Sequence, residues 1–168
     1  MYIGIDPGYN GAIVHIDENK EYVLSFPMPV GKVGKIKYVD PEKIKKNLLL
    51  AIEWGAKVVF VERIWTGKEL VKQMGVIEAV VLSLGLDLCY VETKAWQMYC
   101  FAKLNSKNKE LSYLWARNRY EEEILKKGGK VWYDICDAIC IANTGAGAYQ
   151  NLDEKVIKGL ITQRKLGY

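Results

Sequence analysis

Short apolar runs open the chain, and apolar positions at helical spacing dominate after residue 40. Tyr2-Ile3-Gly4-Ile5 is a brief buried-strand run that ends in Asp6. Residues 7–11, Pro-Gly-Tyr-Asn-Gly, carry turn chemistry. The apolar stretches 12–16 and 21–27 predict two more strands, so the opening is a three-stranded meander. Residues 28–39 break the pattern with Pro29, Gly31 and Gly34 and add Lys32, Lys35 and Lys37, which predicts a mobile basic loop. Asp40-Pro41-Glu42 starts a helix, with the cap at Asp40 and proline in the first turn; it runs to Trp54 and stops at Gly55. Residues 57–62, Lys-Val-Val-Phe-Val-Glu, read as a buried strand ending in an acid. Thr66 and Glu69 have capping-box spacing for a helix through Leu84, closed by Gly85. A fifth strand follows at 87–92 and a short helix at 94–101. A charged helix is predicted at 107–127, closed by Gly128-Gly129, and an apolar helix with two aspartates at 131–143. The last predicted helix is 152–165, with Asn151 as its cap. The order βββαβαβ and then helices defines an α/β protein. A helical crossover between the first and fourth strands favours parallel pairing, so the expected sheet is five-stranded, mixed and flanked by helices.

Composition narrows the class without naming a chemistry. A chain of 168 residues suits one domain over 1–168, with 143–168 as a C-terminal helical extension. No apolar run reaches the roughly 18–20 residues that cross a bilayer, so no membrane partner is expected. The first residues enter a strand with no basic or apolar leader before it, which points to the cytoplasm, or a host cell's cytoplasm for a viral chain. Cys89, Cys100, Cys136 and Cys140 form no CxxC pair and sit among apolar residues; they read as small hydrophobes in a reducing compartment.

The unpaired acids carry the informative pattern. Asp6 ends the first strand and Glu62 the fourth. If those strands are parallel neighbours, both carboxylates leave the same sheet edge, where ligand sites of open α/β sheets form. Asp134 and Asp137 stand i, i+3 on an otherwise apolar helix and share one face. Each has a plain alternative. Asp6 is equally a turn residue before Pro-Gly. Glu62 could pair with Arg63 or Lys68, and helix-start aspartates complement the macrodipole. All of those alternatives would have to hold together at two strand ends and one helix face. Converging carboxylates repel, and hard divalent cations with oxygen ligands resolve that repulsion. Net charge is +4, and setting these four acids aside leaves +8, a basic surround for an acidic centre. The basic residues are mostly lysine, which neutralises phosphate but reads base edges less often than arginine. His15, the only histidine, lies on the side of its strand opposite Val14 and Ile16 and reads as structural or surface.

Ile3-Gly4-Ile5-Asp6-Pro7-Gly8 with Gly11-Ala12, then Val61-Glu62, then Asp134-Ile135-Cys136-Asp137-Ala138 with Ile141-Ala142 resemble the RuvC-type Holliday-junction resolvases. The resemblance covers roughly residues 1–143, and Ala95-Trp96-Gln97 is similar to the phage-type branch. It implies a ribonuclease-H-like fold and a metal-dependent endonuclease that resolves four-way DNA junctions by symmetric paired nicks. It implies Asp6, Glu62, Asp134 and Asp137 as catalytic ligands of two Mg²⁺ ions, with Mn²⁺ as a substitute. It further implies a homodimer, an aromatic wedge at Trp65, and a phosphate-contacting lysine at Lys109, with Lys107 as fallback. Lys68 and Arg117 complete the expected DNA contacts. The segment 69–84, with Leu70, Val71, Met74, Ile77, Val80 and Val81, is a candidate dimer face as well as a core helix. The Ile-Cys between the paired aspartates departs from the family's small residues, and the tail beyond Asn143 matches nothing in it.

Other readings remain open at this point. A nuclease of the same kind could act on flaps, forks or RNA. Ile5-Asp6 with Gly8 and Gly11-Ala12 also resembles the first phosphate loop of actin-like ATP-binding proteins. Those need two such domains, and the paired aspartates would then have no role. A degenerate nuclease that only binds junctions would retain the fold without the chemistry.

Overall fold

The computed structural model describes residues 1–102 and 110–151. The expected helix at 152–165 and its capping by Asn151, together with Lys107 and Lys109, fall outside or at the border of those residues. Strands β1 (Tyr2–Asp6), β2 (Ala12–Ile16) and β3 (Tyr22–Pro27) form the predicted antiparallel meander. A second ribbon, β4 (Val30–Val33) and β5 (Ile36–Val39), precedes helix α1 (Pro41–Glu53). Then come β6 (Val58–Glu62), α2 (Lys68–Ser83), β7 (Asp87–Val91) and α3 (Thr93–Phe101). Helix α4 (Glu110–Arg117), the short ribbon β8 (Lys126–Lys127) and β9 (Lys130–Val131), and α5 (Tyr133–Asn151) follow. The main sheet has the order β3-β2-β1-β6-β7, with β1–β6 and β6–β7 parallel. This is the expected five-stranded mixed sheet.

Strand β6 is buried along its apolar length because helices cover both faces of the sheet. Side chains alternate between those faces. Ile3, Ile5, Val59 and Val61 pack with Ile44 and Leu48 of α1 and Ile77 and Val81 of α2. Val14, Val58 and Phe60 pack with Ile135, Ile139 and Ala142 of α5 on the other side. Gly4 is what lets α5 lie on the central strand. A Cβ there would stand 2.5 Å from the Ala138 carbonyl oxygen and 2.6 Å from the Ala142 Cβ. One turn further along, the Phe60 ring occupies the space beside Gly145.

Four expectations need correction. Residues 30–39 are a paired ribbon, because Gly34 at φ 60° makes a two-residue turn and the alternation across it pairs Val33 with Ile36. The Thr66–Glu69 capping box does not form. Gly67 takes the cap position at φ 88° and leaves Thr66 one residue outside, with no side-chain cap. The charged helix ends at Arg117, since Gly128 and Gly129, at φ 58° and 77°, form a ribbon turn between β8 and β9. Leu125 is thereby fully buried. Finally, α5 passes the expected stop at 143 and reaches Asn151, because the small residues Gly145 and Ala146 pack tightly against the sheet. Tertiary contact overrides low helix propensity there. The Asp40 cap does form, accepting the Lys43 amide at 3.2 Å.

His15 is structural and not at the surface. It is fully buried on the α1 side of the sheet, edge-on to Phe26 at 5.6 Å and to Trp54 at 6.5 Å. Neither ring nitrogen has a hydrogen-bond partner among the described residues. Burial pushes its pKa down from 6.5 to about 4. The unfolded chain therefore takes up this proton at a higher pH than the folded one. Stability from this group is complete above pH 6.5 and is lost as pH falls toward 4, by up to about 3 kcal/mol. Denaturant midpoints of wild type and His15→Phe between pH 7 and 4 measure it. The variant should lack this part of the slope, and equal slopes would refute the assignment.

Candidate active site

The two strand-end acids meet at one edge. In the parallel β1–β6 ladder Ile5 pairs with Val61, so Asp6 and Glu62 leave adjacent strands side by side. Alternation assigns both to the face that carries Val58, Phe60 and α5, opposite the Ile5 and Val61 face. Helix α5 runs antiparallel to β1. Its Tyr149 ring packs on Tyr2, centroids 6.2 Å apart, while Ala138 lies over Gly4. Continuing one turn toward the helix start places Asp137 and Asp134 at the Asp6 end of the strand. All four carboxylate residues are half-buried.

Glu62 is held in place. One of its oxygens, Oε1, accepts hydrogen bonds from Thr93 Oγ1 at 2.8 Å and from Trp96 Nε1 at 3.0 Å. Both donors come from the first turn of α3, which enters directly from β7, the strand beside β6. The Trp96 indole is nearly buried and packs edge-on against Phe101 at 5.7 Å, which fixes its N–H direction.

Beneath the paired aspartates the thiols stay protonated. Burial, then the charges of Asp137 and Asp134, push Cys136 up to about 12. Burial and neighbouring groups raise Cys140 as well. The cysteines are unpaired, and no thiolate competes with the carboxylates as a ligand. The donor set at this edge is thus oxygen alone, of the kind that hard divalent cations take. Among the described residues, no three His, Cys, Asp or Glu side chains stand close enough to hold an ion as they are. The four residues share the edge and the face, and their side chains would have to draw inward to hold an ion together.

Trp65 sits three residues past Glu62 and is 65% exposed, which excludes a core contact. The Arg63 guanidinium stacks on its ring, 3.6 Å from the centroid. Trp65 Nε1 donates to Glu92 Oε2 at 3.2 Å, and Arg63 pairs with the same carboxylate at 3.5 Å. Arg63 therefore engages Glu92 and the indole, and not Glu62. Lys68 is exposed at the start of α2. Arg117, exposed at the end of α4, lies over the Tyr113 ring at 6.0 Å and acts on Glu122 by charge. Sequence reasoning missed Thr93 and Glu92, gave Trp96 no part in holding Glu62, and offered Arg63 as a partner of Glu62 instead of Glu92. The available signal was that Glu92-Thr93 directly follows β7, the strand beside the one that ends in Glu62.

A cavity of about 690 Å³ opens at the other end of the sheet, by the β2–β3 turn, lined among others by Lys20, Tyr22, Tyr99, Trp115 and Tyr120. It is separate from the acidic edge.

No family profile and no curated protein matches the sequence. Solved structures do. Thermus thermophilus RuvC in complex with a Holliday junction substrate superposes with a TM-score of 0.62 at 16% identity, over 89% of this chain and 94% of that one. A second Thermus thermophilus RuvC structure gives 0.51 at 17% identity, over 89% and 95%. No described helix is long and apolar enough to cross a membrane. The order of strands, the helix laid across the first of them and these superpositions agree: the chain has the ribonuclease-H-like fold of the RuvC Holliday-junction resolvases.

Proposed function

We propose that this protein is a metal-dependent endonuclease that resolves four-way DNA junctions by symmetric paired nicks, acting as a homodimer. One observation carries the reading: Asp6 and Glu62 leave neighbouring parallel strands on the very face crossed by the helix that bears Asp134 and Asp137. The similar structure bound to a Holliday junction supports the substrate class. Asp6, Glu62, Asp134 and Asp137 would hold two Mg²⁺ ions, with Mn²⁺ as a substitute. When bound, the pair supplies the Lewis acidity that phosphodiester hydrolysis draws on. The chain's own groups orient and exclude. Thr93 and Trp96 fix the Glu62 carboxylate, and the exposed Trp65 face offers a platform for an unstacked base. Lys68 and Arg117 would neutralise phosphates, as would Lys109 or Lys107. The exposed Leu70, Val71 and Leu82 of α2 supply apolar surface for a second copy, matching the two-fold symmetry of the substrate.

The test uses wild type and Asp6→Asn with end-labelled four-way junctions, flaps, RNA-containing duplexes and linear duplex, with and without Mg²⁺. Wild type alone should make paired nicks at symmetric positions on the junction. Equal cutting of linear duplex removes the resolvase assignment and leaves a nuclease. Junction binding without any cutting removes the enzyme.

The Glu62 mount gives a separate expectation. Trp96→Phe keeps the packing ring and deletes the N–H at 3.0 Å. Loss of such a supporting hydrogen bond should lower single-turnover cleavage about 10- to 100-fold, with junction affinity unchanged. A matching loss of affinity would assign Trp96 to DNA binding instead.

A further inference from the structure

The β4–β5 ribbon has no part in the site described so far, yet it rises from the same edge. Pro27, at the end of β3, pairs with Ala12, which pairs with Asp6. The Met28 amide donates to the Gly11 carbonyl at 2.8 Å, and the Asp40 amide closes the base on the Pro29 carbonyl at 2.8 Å. Buried Met28 and Val39 root it in the core. Tyr9, in the turn that follows Asp6, donates its hydroxyl to the Lys37 carbonyl at 2.8 Å. The ribbon is thus tied to the loop beside the first acid.

Its charge is one-sided. No acidic residue lies between Pro27 and Val39, while Lys32, Lys35 and Lys37 are all exposed. Among the described residues none of the three makes an ion pair. The register sets Lys32 directly opposite Lys37, so both ammonium groups leave the same face of the ribbon. Like charges in that position repel and weaken the pairing. An isolated two-stranded ribbon has little stability to spare. A polyanion lying along that face turns the repulsion into attraction, and Lys35 at the turn extends the same basic line.

We infer that the β4–β5 ribbon is a clamp for the sugar-phosphate backbone of a duplex DNA arm, gripping it beside the acidic edge through Lys32, Lys37 and Lys35. This rests on the nuclease reading for its DNA partner. The contact is to backbone, so it is indifferent to sequence and to branching.

The experiment follows binding by fluorescence anisotropy across a KCl series without divalent ions, using the full chain. Wild type, Lys32→Ala/Lys35→Ala/Lys37→Ala and Lys32→Arg/Lys35→Arg/Lys37→Arg are compared on a four-way junction and on a linear duplex as long as two of its arms. Each phosphate contact contributes about 0.9 to the slope of log affinity against log salt. The alanine variant should lose about 2–3 from that slope on both DNAs and bind at least ~10-fold more weakly at moderate salt. Its thermal midpoint should hold or rise, because the opposed charges are gone. The arginine variant should retain the wild-type slope, and its loss would overturn a charge-based clamp. An unchanged slope in the alanine variant overturns the clamp even if junctions are still cut. A reduced slope on linear duplex, with no junction cutting by wild type when Mg²⁺ is added, keeps the clamp and defeats the resolvase reading. Binding of neither DNA by wild type defeats both.

Discussion

Asp6→Asn will fold, bind junction DNA as wild type does, and cleave it on the order of 10³-fold more slowly, a loss of about 4 kcal/mol in transition-state stabilisation. The central position of β1 is the reason for the size of the effect. Asp6 has Glu62 beside it on β6 and the start of α5 across the same face, so it borders both other sources of carboxylate. Asparagine keeps the shape and removes the charge that an ion would need. Four half-buried carboxylates gathered at one edge would repel one another, and the same change would relieve part of that repulsion. In chelator, the variant should therefore unfold at higher temperature than wild type, by a stability gain on the order of 1 kcal/mol. Single-turnover assays and melting curves on the same preparations read both. A variant that cleaves within a factor of ten of wild type would dismiss Asp6 as a ligand. One that is inactive and also less stable would recast it as a turn residue before Pro7-Gly8.

Gly4→Val, in contrast, should damage the fold itself. Even the first atom of a side chain there meets the Ala138 oxygen at 2.5 Å, the Ala142 Cβ at 2.6 Å and the Ala142 nitrogen at 2.7 Å. Two of those three atoms are backbone, so no side-chain rotation relieves the clash. Helix α5 must lift from β1, and its buried Ile135, Ile139 and Ile141 lose contact with the sheet. Overpacking of this kind costs roughly 1–3 kcal/mol and more when backbone is displaced, so an expected loss above about 3 kcal/mol is set by the larger residue. Gly4→Ala is the milder probe. It should remain folded, with a lower denaturant midpoint and slower cleavage, since lifting α5 carries Asp134 and Asp137 away from the sheet edge. Cleavage at the wild-type rate in a destabilised Gly4→Ala would separate the helix position from catalysis.

The strand-end acids were legible because each ends an uninterrupted apolar run, as Val58 to Val61 does before Glu62. The i, i+3 aspartates were legible because they are the only charged residues in an apolar helix. The parallel pairing of β1 and β6 followed from the intervening helix. The ribbon at 30–39 was hidden by its glycines, which read as loop although Gly34 is the turn and Gly31 makes room for the Tyr38 ring. The length of α5 was hidden for a related reason. Gly145 is a helix weakener by propensity, and only the Phe60 ring across from it shows why the helix continues. Thr93 and Trp96 could not be read as partners of Glu62 from spacing, because they lie 31 and 34 residues away and meet it only through the β6–β7 pairing.

The docking of α5 across Gly4 also bears on how the protein is made. Its acids come from the first strand, the middle of the chain and a helix near the end of the described residues, so translation delivers them far apart in time. A nascent chain that has already paired β1 with β6 exposes Asp6 and Glu62 without the other two. The second pair of acids reaches the sheet edge only when α5 has left the ribosome and settled on the central strand, so under the proposed function an unfinished chain would hold half of its carboxylates.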